Sequence, residues 1–350
     1  MQHFMIREIF EQPKAITDTL KETFQEAAET VSRLHSDKLA MVYFTGSGTS
    51  YHACLAANYA MSKLTRIFST SIPASEFASW VGPTGRENTI LVAISQSGES
   101  TDVRAAVKSA SDSGIRTIGI TNSPGSSLES STNFSLVSRA GEEKAVTATK
   151  SFTGTLAAAY TLVLELARIS PSETFDFEGL SEALRRTSSQ VDRTIQLCND
   201  PTQKLAAKLA EREFYFILGS GPNYATALEG ALKMKESCNI HAEGFATREF
   251  LHGPMQLVEN RTPVFILQGV EEEEQVKNLE ASFHRFGAST VVIKRENDDN
   301  LQDRVRVAGD VEEIFSTLAY VIPMQMYAYY SAVKRGLNPD HPEKLTKVVK

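Results

Sequence analysis

The sequence has little cysteine, no run of positive charge and no long apolar run, and each shortage excludes a class of protein. The three cysteines, Cys54, Cys198 and Cys238, are far apart and odd in number, so they form neither a metal-ligand spacing nor a disulfide framework. The net charge is −7 without a basic run, which argues against nucleic acid as a partner. No apolar run approaches the roughly 20 residues that cross a bilayer, and no signal-peptide pattern begins the chain. We therefore expect a cytoplasmic protein with no metal and no membrane partner.

The length and the acidic charge set two further expectations. A chain of 350 residues predicts two domains, each large enough to bury a hydrophobic core. Because the chain is acidic, a phosphorylated ligand would have to be bound locally, by backbone N–H groups and hydroxyls rather than by a basic surface.

The clearest internal feature is a repeat of a β-rich stretch, a Gly-Ser-Gly turn and an alanine-rich helical pattern. It occurs in residues 41–51 (MVYFTGSGTSY) and again in residues 214–224 (FYFILGSGPNY). Gly46 aligns with Gly219, and the second glycine and the tyrosine keep the same register in both copies. A duplicated domain explains this register better than chance.

Short β-branched runs alternate with helical patterns around both copies of the repeat. The predicted strands are residues 89–94, 114–121, 134–137, 263–267 and 288–293, and the predicted helices between or after them are residues 101–112, 152–169 and 272–286. This alternation indicates an α/β protein with a doubly wound parallel sheet in each half.

The remaining segments define the predicted domain organisation. We expect one domain over residues 36–185 and a second over residues 190–333, with the polar and partly helical segment 170–201 as the link between them. Residues 1–35 form an N-terminal helical segment, with a helix over about residues 5–34, and residues 334–350 form a C-terminal tail.

Three hydroxyl-rich loops follow predicted strands in the first half, where ligands of open parallel sheets bind. They are residues 46–50, 95–100 and 146–151. Serine and threonine there could simply cap helices, but three such loops in one domain favour a polyhydroxylated phosphate ligand held at helix N-termini. A dinucleotide is disfavoured, because the first loop lacks the third glycine of that fingerprint and no P-loop occurs.

Four motifs together resemble the sugar isomerase (SIS) family. They are SQSGES at 95–100, ATKSFT at 148–153, ALEGALKMKE at 227–236 and LHGP at 251–254. Within that family the chain is most similar to the isomerase part of glucosamine-6-phosphate synthases and to stand-alone glucosamine-6-phosphate deaminases. The resemblance covers nearly the whole chain, from residue 7 to residue 347. It implies two SIS-type domains and no cofactor.

The resemblance also implies a set of residues that bind a sugar 6-phosphate. These residues are Ser47, Thr49, Ser50, Ser95, Gln96, Ser97 and Ser100, with Val146 near the sugar. Ser47 stands where the synthases usually have cysteine, and Thr147 and Ala148 replace an Ala-Ser pair. Both changes keep small side chains, so they affect fine contacts rather than binding.

Glu236 is the candidate base of the second half. Moving a proton between C1 and C2 of a sugar requires one base within reach of both carbons. Glu236 ends a helical run, and Lys233 precedes it by one turn, so that a positive neighbour would keep the carboxylate ionised. From the residues alone an ordinary surface ion pair is the favoured explanation of this spacing. The resemblance implies that Glu236 is the isomerase base and that Lys233 handles protons nearby.

His252 is the candidate for opening the sugar ring. It precedes Gly253 and Pro254, which end a helix and present the imidazole on a turn. The resemblance implies that this histidine is contributed by the neighbouring subunit, and therefore that the protein is a homodimer with its active site at the subunit interface. His52 and His241 have no such support, and we interpret them as structural.

Lys347 is the candidate for forming a Schiff base with the open-chain sugar. It lies in a polar tail of a kind that is normally frayed, and a mobile amine suits the formation and release of an imine. The resemblance assigns the role to Lys347, with Lys344 and Lys350 as neighbouring competitors.

Three hypotheses of function follow. The chain begins without the glutaminase domain of the synthases, so the favoured hypothesis is an isomerising deaminase that converts glucosamine 6-phosphate and water to fructose 6-phosphate and ammonia. The second is the isomerase domain of a glutamine–fructose-6-phosphate aminotransferase. The third is a sugar-phosphate-binding regulatory module without catalysis, which would need the hydroxyl loops but not Glu236, His252 and Lys347 together. The direction of the reaction and the choice between gluco and galacto sugars stay open at this stage.

Overall fold

A computed structural model of the chain describes residues 3–34, 39–82, 88–173, 175–296 and 304–347. The chain folds into two compact units. The first unit consists of Glu11–Glu143, Lys150–Ser188 and Thr346–Lys350. The second unit consists of Met1–Phe10, Lys144–Thr149 and Ser189–Leu345.

The regular elements of the described residues alternate along the chain as the sequence predicts. The strands are β1 Met41–Gly46, β2 Phe68–Pro73, β3 Thr89–Ile94, β4 Arg116–Thr121, β5 Phe134–Val137, β6 Phe214–Gly219, β7 His241–Ala246, β8 Pro263–Leu267, β9 Ser289–Arg295 and β10 Arg304–Val307. The α-helices are α1 Phe4–Phe10, α2 Gln12–Arg33, α3 Thr49–Leu64, α4 Ala74–Trp80, α5 Thr101–Asp112, α6 Ser127–Ser131, α7 Lys150–Ile169, α8 Phe177–Leu209, α9 Pro222–Cys238, α10 Glu273–Arg285 and α11 Ser316–Lys334. Short 3₁₀ helices cover Glu249–His252, Pro254–Leu257 and Glu313–Phe315.

Each unit is built on a parallel five-stranded sheet, and the two sheets have the same topology. The first has the order β2-β1-β3-β4-β5, and the second, taken from its other edge, has the order β7-β6-β8-β9-β10. Every pairing between these ten strands is parallel. In the first unit β3 is buried over its whole length, as expected for a continuous apolar strand covered on both faces. The prediction of two doubly wound α/β domains is confirmed.

The repeat is equally clear at the level of the backbone. β1 ends at Gly46 and β6 ends at Gly219, and the glycine two residues later has φ 54° and ψ −124° at Gly48 and φ 52° and ψ −131° at Gly221. A Cβ on Gly46 would lie 2.9 Å from the backbone of Ser50, and one on Gly219 would lie 2.2 Å from a backbone oxygen. Both glycines therefore allow the following helix to approach its strand closely.

The helix α7 corrects the expectation that no apolar run in the chain is long enough to cross a bilayer. Its length and apolar composition alone would suffice to cross a membrane, and it is the one such helix in the described part of the chain. However, 89% of this apolar stretch is buried inside the structure, and α7 packs against α2 and α3. The apolar run is long because the helix is covered on nearly all sides by protein.

Two helical segments differ in detail from the prediction. The expected N-terminal helix over residues 5–34 is divided into α1 and α2, and Pro13 lies in the first turn of α2, where a missing N–H costs nothing. The predicted link 170–201 is mostly helical, because α8 runs for 33 residues and contains Pro201.

Candidate functional site

The loop of residues 95–100, here called the serine loop, follows β3 and leads into α5. It is held by its own hydroxyls: Ser95 Oγ accepts the N–H of Gly98 at 3.1 Å, and Ser97 Oγ accepts the N–H of Glu99 at 3.2 Å. Gly98 has φ +68°, and a Cβ there would lie 2.2 Å from Ser126 Oγ. Only glycine fits this turn without strain.

The serine loop leaves several donors available to a ligand. Among the described residues, the backbone N–H groups of Gln96, Ser97 and Ser100 have no hydrogen-bond acceptor, and Ser100 makes no capping bond at the start of α5. Each serine hydroxyl that accepts an amide proton still has its own proton to donate. Together with the positive end of α5, this arrangement suits an anion with several oxygens.

The loop of residues 47–50 lies at the corresponding end of β1. Gly48 turns the chain with φ +54°, and the N–H of Ser50 donates to the carbonyl of Ser47 at 3.1 Å. Ser47 is exposed, and Thr49 and Ser50 in the first turn of α3 are half-buried. Their hydroxyls belong to the first unit, as the serine loop does.

Val146 lies in the second unit, in a segment that is fixed by residues which the sequence analysis did not single out. The Val146 N–H donates to the carbonyl of Asp340 at 2.9 Å. The carboxylate of Glu8 on α1 accepts the N–H of Ala145 at 3.2 Å. Thr147 is wholly buried, and its hydroxyl has no hydrogen-bond partner within the described structure.

Glu236 belongs to a row of three charged side chains on α9. Residues spaced by three or four positions lie on the same face of a helix, and Lys233 Nζ is 3.2 Å from Glu229 Oε1 and 2.7 Å from Glu236 Oε2. The side chains of Lys233 and Glu229 are fully buried, whereas that of Glu236 is 21% exposed. The surface ion pair that was one interpretation of this spacing is therefore wrong. Glu229 was missed, although its spacing from Lys233 is visible in the sequence.

The environment of Lys233 makes it a fixed positive charge. Burial by itself lowers the pKa of Lys233, but the two carboxylates of Glu229 and Glu236 raise it by more, so the pKa lies above its ordinary value. An ammonium group with a raised pKa does not readily give up its proton. This favours an electrostatic role for Lys233 beside Glu236 over proton transfer.

Glu236 also lines a cavity of about 500 Å³ in the second unit. The cavity lies between the end of α9 and the C-terminal tail, and its volume is in the range of small-molecule sites. Its lining residues are Leu232, Lys235, Glu236, Ser237, Asn239, Gly336, Leu337, Asn338, His341, Pro342, Glu343, Lys344 and Leu345.

The tail is anchored rather than frayed, which corrects the expectation from its composition. The carboxylate of Asp340 accepts the N–H of Phe4 at 2.8 Å and the N–H of Met5 at 2.7 Å, and Asp340 is 6% exposed. Two backbone N–H groups at the start of α1 would otherwise be unsatisfied. The tail therefore has a defined position as far as Asp340.

Lys347 lies in the first unit, bound to a buried carboxylate. Its Nζ donates to Glu143 Oε2 at 2.9 Å, and the Glu143 side chain is fully buried. The same carboxylate accepts the N–H of Ser151 at 3.1 Å and its hydroxyl at 2.6 Å. Glu143 was not predicted, because it precedes Lys347 by 204 positions. Lys344 is exposed, and Lys350 lies outside the described residues.

His252 is placed on the surface of the second unit, as its sequence context predicts. It ends the 3₁₀ helix Glu249–His252, and Gly253 with φ +151° separates that helix from the one that begins at Pro254. The imidazole is exposed, and Leu251 and Leu257 nearby in the chain are 42% and 58% exposed. Such a site is accessible to a second molecule.

Comparison with protein families identifies both halves of the chain. A family model for the SIS domain matches residues 36–165 and again residues 208–335. The isomerizing glutamine–fructose-6-phosphate aminotransferases of Pyrococcus horikoshii and Clostridium tetani are each 35% identical over 99% of this chain. The chain spans only 58% and 59% of the length of these two relatives.

Two solved structures share the fold over nearly their whole length. The C-terminal domain of glucosamine-fructose-6-phosphate aminotransferase from Francisella tularensis has a TM-score of 0.87 and 25% identity, covering 97% of this chain and 98% of the other. Glucosamine-6-phosphate deaminase from Thermotoga maritima has a TM-score of 0.75 and 28% identity, covering 97% and 99%.

Proposed function

The chain belongs to the SIS domain family, and on that basis we propose that it is an isomerising glucosamine-6-phosphate deaminase. It would convert glucosamine 6-phosphate and water to fructose 6-phosphate and ammonia. The observation that carries this proposal is the carboxylate of Glu236, held beside the buried ammonium of Lys233 on the wall of a cavity. The names of the relatives specify 6-phosphorylated sugars.

The serine loop is proposed to bind the phosphate. The unused N–H groups of Gln96, Ser97 and Ser100 and the hydroxyls of Ser95, Ser97 and Ser100 would surround its oxygens. Ser47, Thr49 and Ser50 would bind the sugar hydroxyls, with Val146 against the sugar. This set neutralises no phosphate charge with lysine or arginine, so it relies on backbone dipoles and charge-assisted hydrogen bonds.

Glu236 is proposed to move the proton between the two carbons. After His252 from a second copy of the chain has opened the ring, Glu236 removes the proton at C2 and the electron pair forms a C1–C2 double bond. The π electron pair of the C1 carbonyl moves to O1 at the same time, and O1 takes a proton from solvent to become a hydroxyl. The same carboxylic acid then returns a proton to C1, which leaves an imine at C2. One carboxylate can serve both carbons because they are adjacent.

Lys347 is proposed to exchange with this imine. Its neutral amine attacks C2 and expels ammonia, and water then hydrolyses the lysine imine to give the ketose and regenerate the amine. Lys347 must first lose a proton, and Glu143 at 2.9 Å is the group placed to accept it.

The second candidate is the isomerase part of a glutamine-dependent aminotransferase. The 35% identity to proteins of that name favours it, and the same residues would then run the chemistry towards the amino sugar. The match to a protein named glucosamine-6-phosphate deaminase over 99% of its length supports the deaminase proposal. A regulatory module without catalysis would leave the buried row of Glu229, Lys233 and Glu236 unexplained.

The test is to incubate the chain with glucosamine 6-phosphate and to measure ammonia and fructose 6-phosphate. A deaminase releases both in equal amounts, and the Ser97→Asp variant, which places a negative charge in the phosphate position, should release neither. Ser75→Asp, an exposed position at the start of α4, is the matched control.

A chain that interconverts fructose 6-phosphate and glucose 6-phosphate but releases no ammonia would support the aminotransferase part instead. A chain that binds these sugars without turnover would contradict both enzyme proposals. Galactosamine 6-phosphate in a parallel reaction tests the choice of sugar.

A further inference from the structure

The loop after β8 in the second unit is built like the serine loop after β3 in the first. We call residues 268–273 the glutamate loop. In each loop the first residue donates its N–H to the neighbouring strand: Ser95 to the carbonyl of Ile120 at 3.0 Å, and Gln268 to the carbonyl of Ile293 at 2.9 Å. These bonds set the register, so Gly269 corresponds to Gln96 and Val270 corresponds to Ser97.

The fourth position of both loops has the same unusual backbone conformation. Gly98 has φ +68° in the serine loop, and Glu271 has φ +62° in the glutamate loop. Glutamate rarely adopts this left-handed conformation, which glycine adopts at no cost. The fourth residue of the glutamate loop therefore has the backbone conformation of Gly98 without being glycine.

The donors of the glutamate loop are filled by the protein's own carboxylates. The N–H of Gly269 donates to Glu272 Oε2 at 2.7 Å, and the N–H of Val270 donates to Glu313 Oε2 at 3.3 Å. At the two corresponding positions of the serine loop, Gln96 and Ser97, the N–H groups have no acceptor within the described residues. The negatively charged oxygens of Glu272 and Glu313 stand where the oxygens of a bound anion would stand.

The cavity beside the glutamate loop is lined by one cation, Arg295, and by two further glutamates, Glu271 and Glu273. Arg295 Nη2 lies 2.8 Å from Glu313 Oε2, and the Arg295 side chain is 22% exposed. Arg295, Gly269 and Val270 together line a cavity of about 330 Å³, which exceeds the volume of a water molecule, about 30 Å³, many times over. Removing the Glu313 carboxylate would leave a guanidinium and a backbone N–H facing this space.

We propose that the second unit contains a latent anion site, built by duplication on the backbone of the serine loop and closed by Glu272 and Glu313. The unsubstituted chain would therefore bind one phosphate group at these two loops rather than two. Opening the second site would need only the removal of the two carboxylates. The latent site is independent of the reaction proposed above, because it concerns a different loop and an anion without a sugar.

Inorganic phosphate is the probe, and thermal unfolding is the measurement. A ligand that binds only the folded state raises the unfolding temperature, and the rise grows with the ligand concentration. Ser97→Asp is introduced first to block the serine loop, and Glu272→Ala and Glu313→Ala are then added. We expect Ser97→Asp to show no phosphate-dependent rise and the triple variant to regain one. The matched control adds Glu274→Ala and Glu312→Ala, two exposed neighbours, which remove the same charge without opening the loop.

Each outcome decides the matter. A folded triple variant without a phosphate response contradicts the latent site, and so does an equal response in the control, since general charge then explains it. If phosphate still raises the unfolding temperature of Ser97→Asp alone, the proposal that the serine loop binds phosphate is wrong. The latent site is then tested by whether the rise is larger in the triple variant than in its control.

A direct measurement covers the case in which the triple variant does not fold. Glu313→Ala alone removes the carboxylate that accepts the Val270 N–H and pairs with Arg295. The hydrogen bond from the Gly269 N–H to Glu272 is kept. Crystals of this variant and of the unsubstituted chain, soaked in selenate, should differ by one anomalous peak beside Val270 and Arg295. A map of Glu313→Ala with selenate at the serine loop but none beside Val270 overturns the proposal.

Discussion

Lys233 Nζ lies 2.7 Å from Glu236 Oε2, and the lysine is fully buried while the glutamate reaches a cavity. A buried cation thus fixes the position of a partly exposed carboxylate, the kind of group that acts as a general base. Glu229, 3.2 Å from the same ammonium, balances the charge of Lys233 from within the protein.

The first prediction is that Glu236→Gln removes turnover and keeps substrate binding. The amide preserves the shape of the side chain but cannot take a proton, so kcat should fall by about 10²–10⁴-fold, the usual contribution of a general base, with little change in substrate affinity. Glu243→Gln, at an exposed position on β7, is the control. Steady-state release of fructose 6-phosphate measures the effect, and near-normal turnover would leave the Lys233–Glu236 pair as a structural ion pair.

The elements that could be predicted from the sequence are those with continuous apolar runs. β3 and β8 are buried along their whole length, and their bounds agree with the prediction. β2, β7 and β10 were missed because they lie at or towards the sheet edges, where polar residues alternate or predominate. A half-buried strand of this kind has no periodic signal strong enough to identify it.

The site shows the same division between local and distant relationships. The pairing of Lys233 with Glu236 follows from one turn of a helix and was visible in the sequence. Glu143 is separated from its partner Lys347 by 204 positions, and Asp340 is separated from its partner Met5 by 335 positions. Tertiary folding brings these residues together, so neither spacing nor composition could identify them.

The second prediction concerns the stability that Lys233 provides. Lys233→Met leaves the buried Glu229 carboxylate without its cation, and breaking a buried ion pair in this way costs about 3–5 kcal/mol. Adding Glu229→Gln removes the unpaired charge and should recover part of the loss. Lys235→Met, at an exposed position on the same helix, should change the free energy of unfolding by less than about 0.5 kcal/mol. Urea denaturation provides these values.

The pH dependence of this contribution follows from the direction of the pKa shift. The pKa of Lys233 is raised in the folded chain above its ordinary value of 10.5, so the lysine is protonated in both states below that value and its stabilisation is fully present there. The stabilisation is lost only as the pH rises above the ordinary value towards the folded one. The difference in unfolding free energy between Lys233→Met and the unsubstituted chain should therefore stay constant from about pH 7 to pH 9. A decline in that range would contradict the raised pKa.

The third prediction separates the charge of Lys347 from its nucleophilicity. Lys347→Arg keeps a cation beside Glu143 but cannot form an imine, because a guanidinium is not deprotonated in proteins. Borohydride reduction in the presence of fructose 6-phosphate should therefore trap the sugar on the unsubstituted chain and not on the variant. Lys344→Arg, in the exposed part of the same tail, should be trapped normally. Loss of trapping in Lys344→Arg alone would transfer the role to that lysine.

The fourth prediction tests whether His252 acts across a subunit boundary. Neither His252→Ala nor Glu236→Gln should turn over substrate well alone, but mixed dimers combine one intact His252 with one intact Glu236. Complementation of this kind restores at most one of the two sites of each mixed dimer. Activity should therefore recover to a fraction of the original level after subunit exchange. Absence of recovery, with exchange verified by mass spectrometry, would mean that the histidine serves its own chain or none.

The last prediction concerns the glutamate that adopts the conformation of a glycine. Glu271 has φ +62° and an exposed side chain, so replacing it loses no packing. The left-handed conformation costs a non-glycine residue roughly 1–2 kcal/mol, whereas glycine loses about 0.5–1 kcal/mol more backbone entropy on folding. The balance predicts that Glu271→Gly stabilises the chain by up to about 1.5 kcal/mol. Glu274→Gly, three residues later in the first turn of α10, should instead destabilise it by about 1 kcal/mol, because glycine is unfavourable in a helix. Denaturant unfolding measures both changes in unfolding free energy. Stabilisation by Glu271→Gly and destabilisation by Glu274→Gly would support a glycine-like turn at Glu271, as at Gly98. Destabilisation by both variants would contradict it.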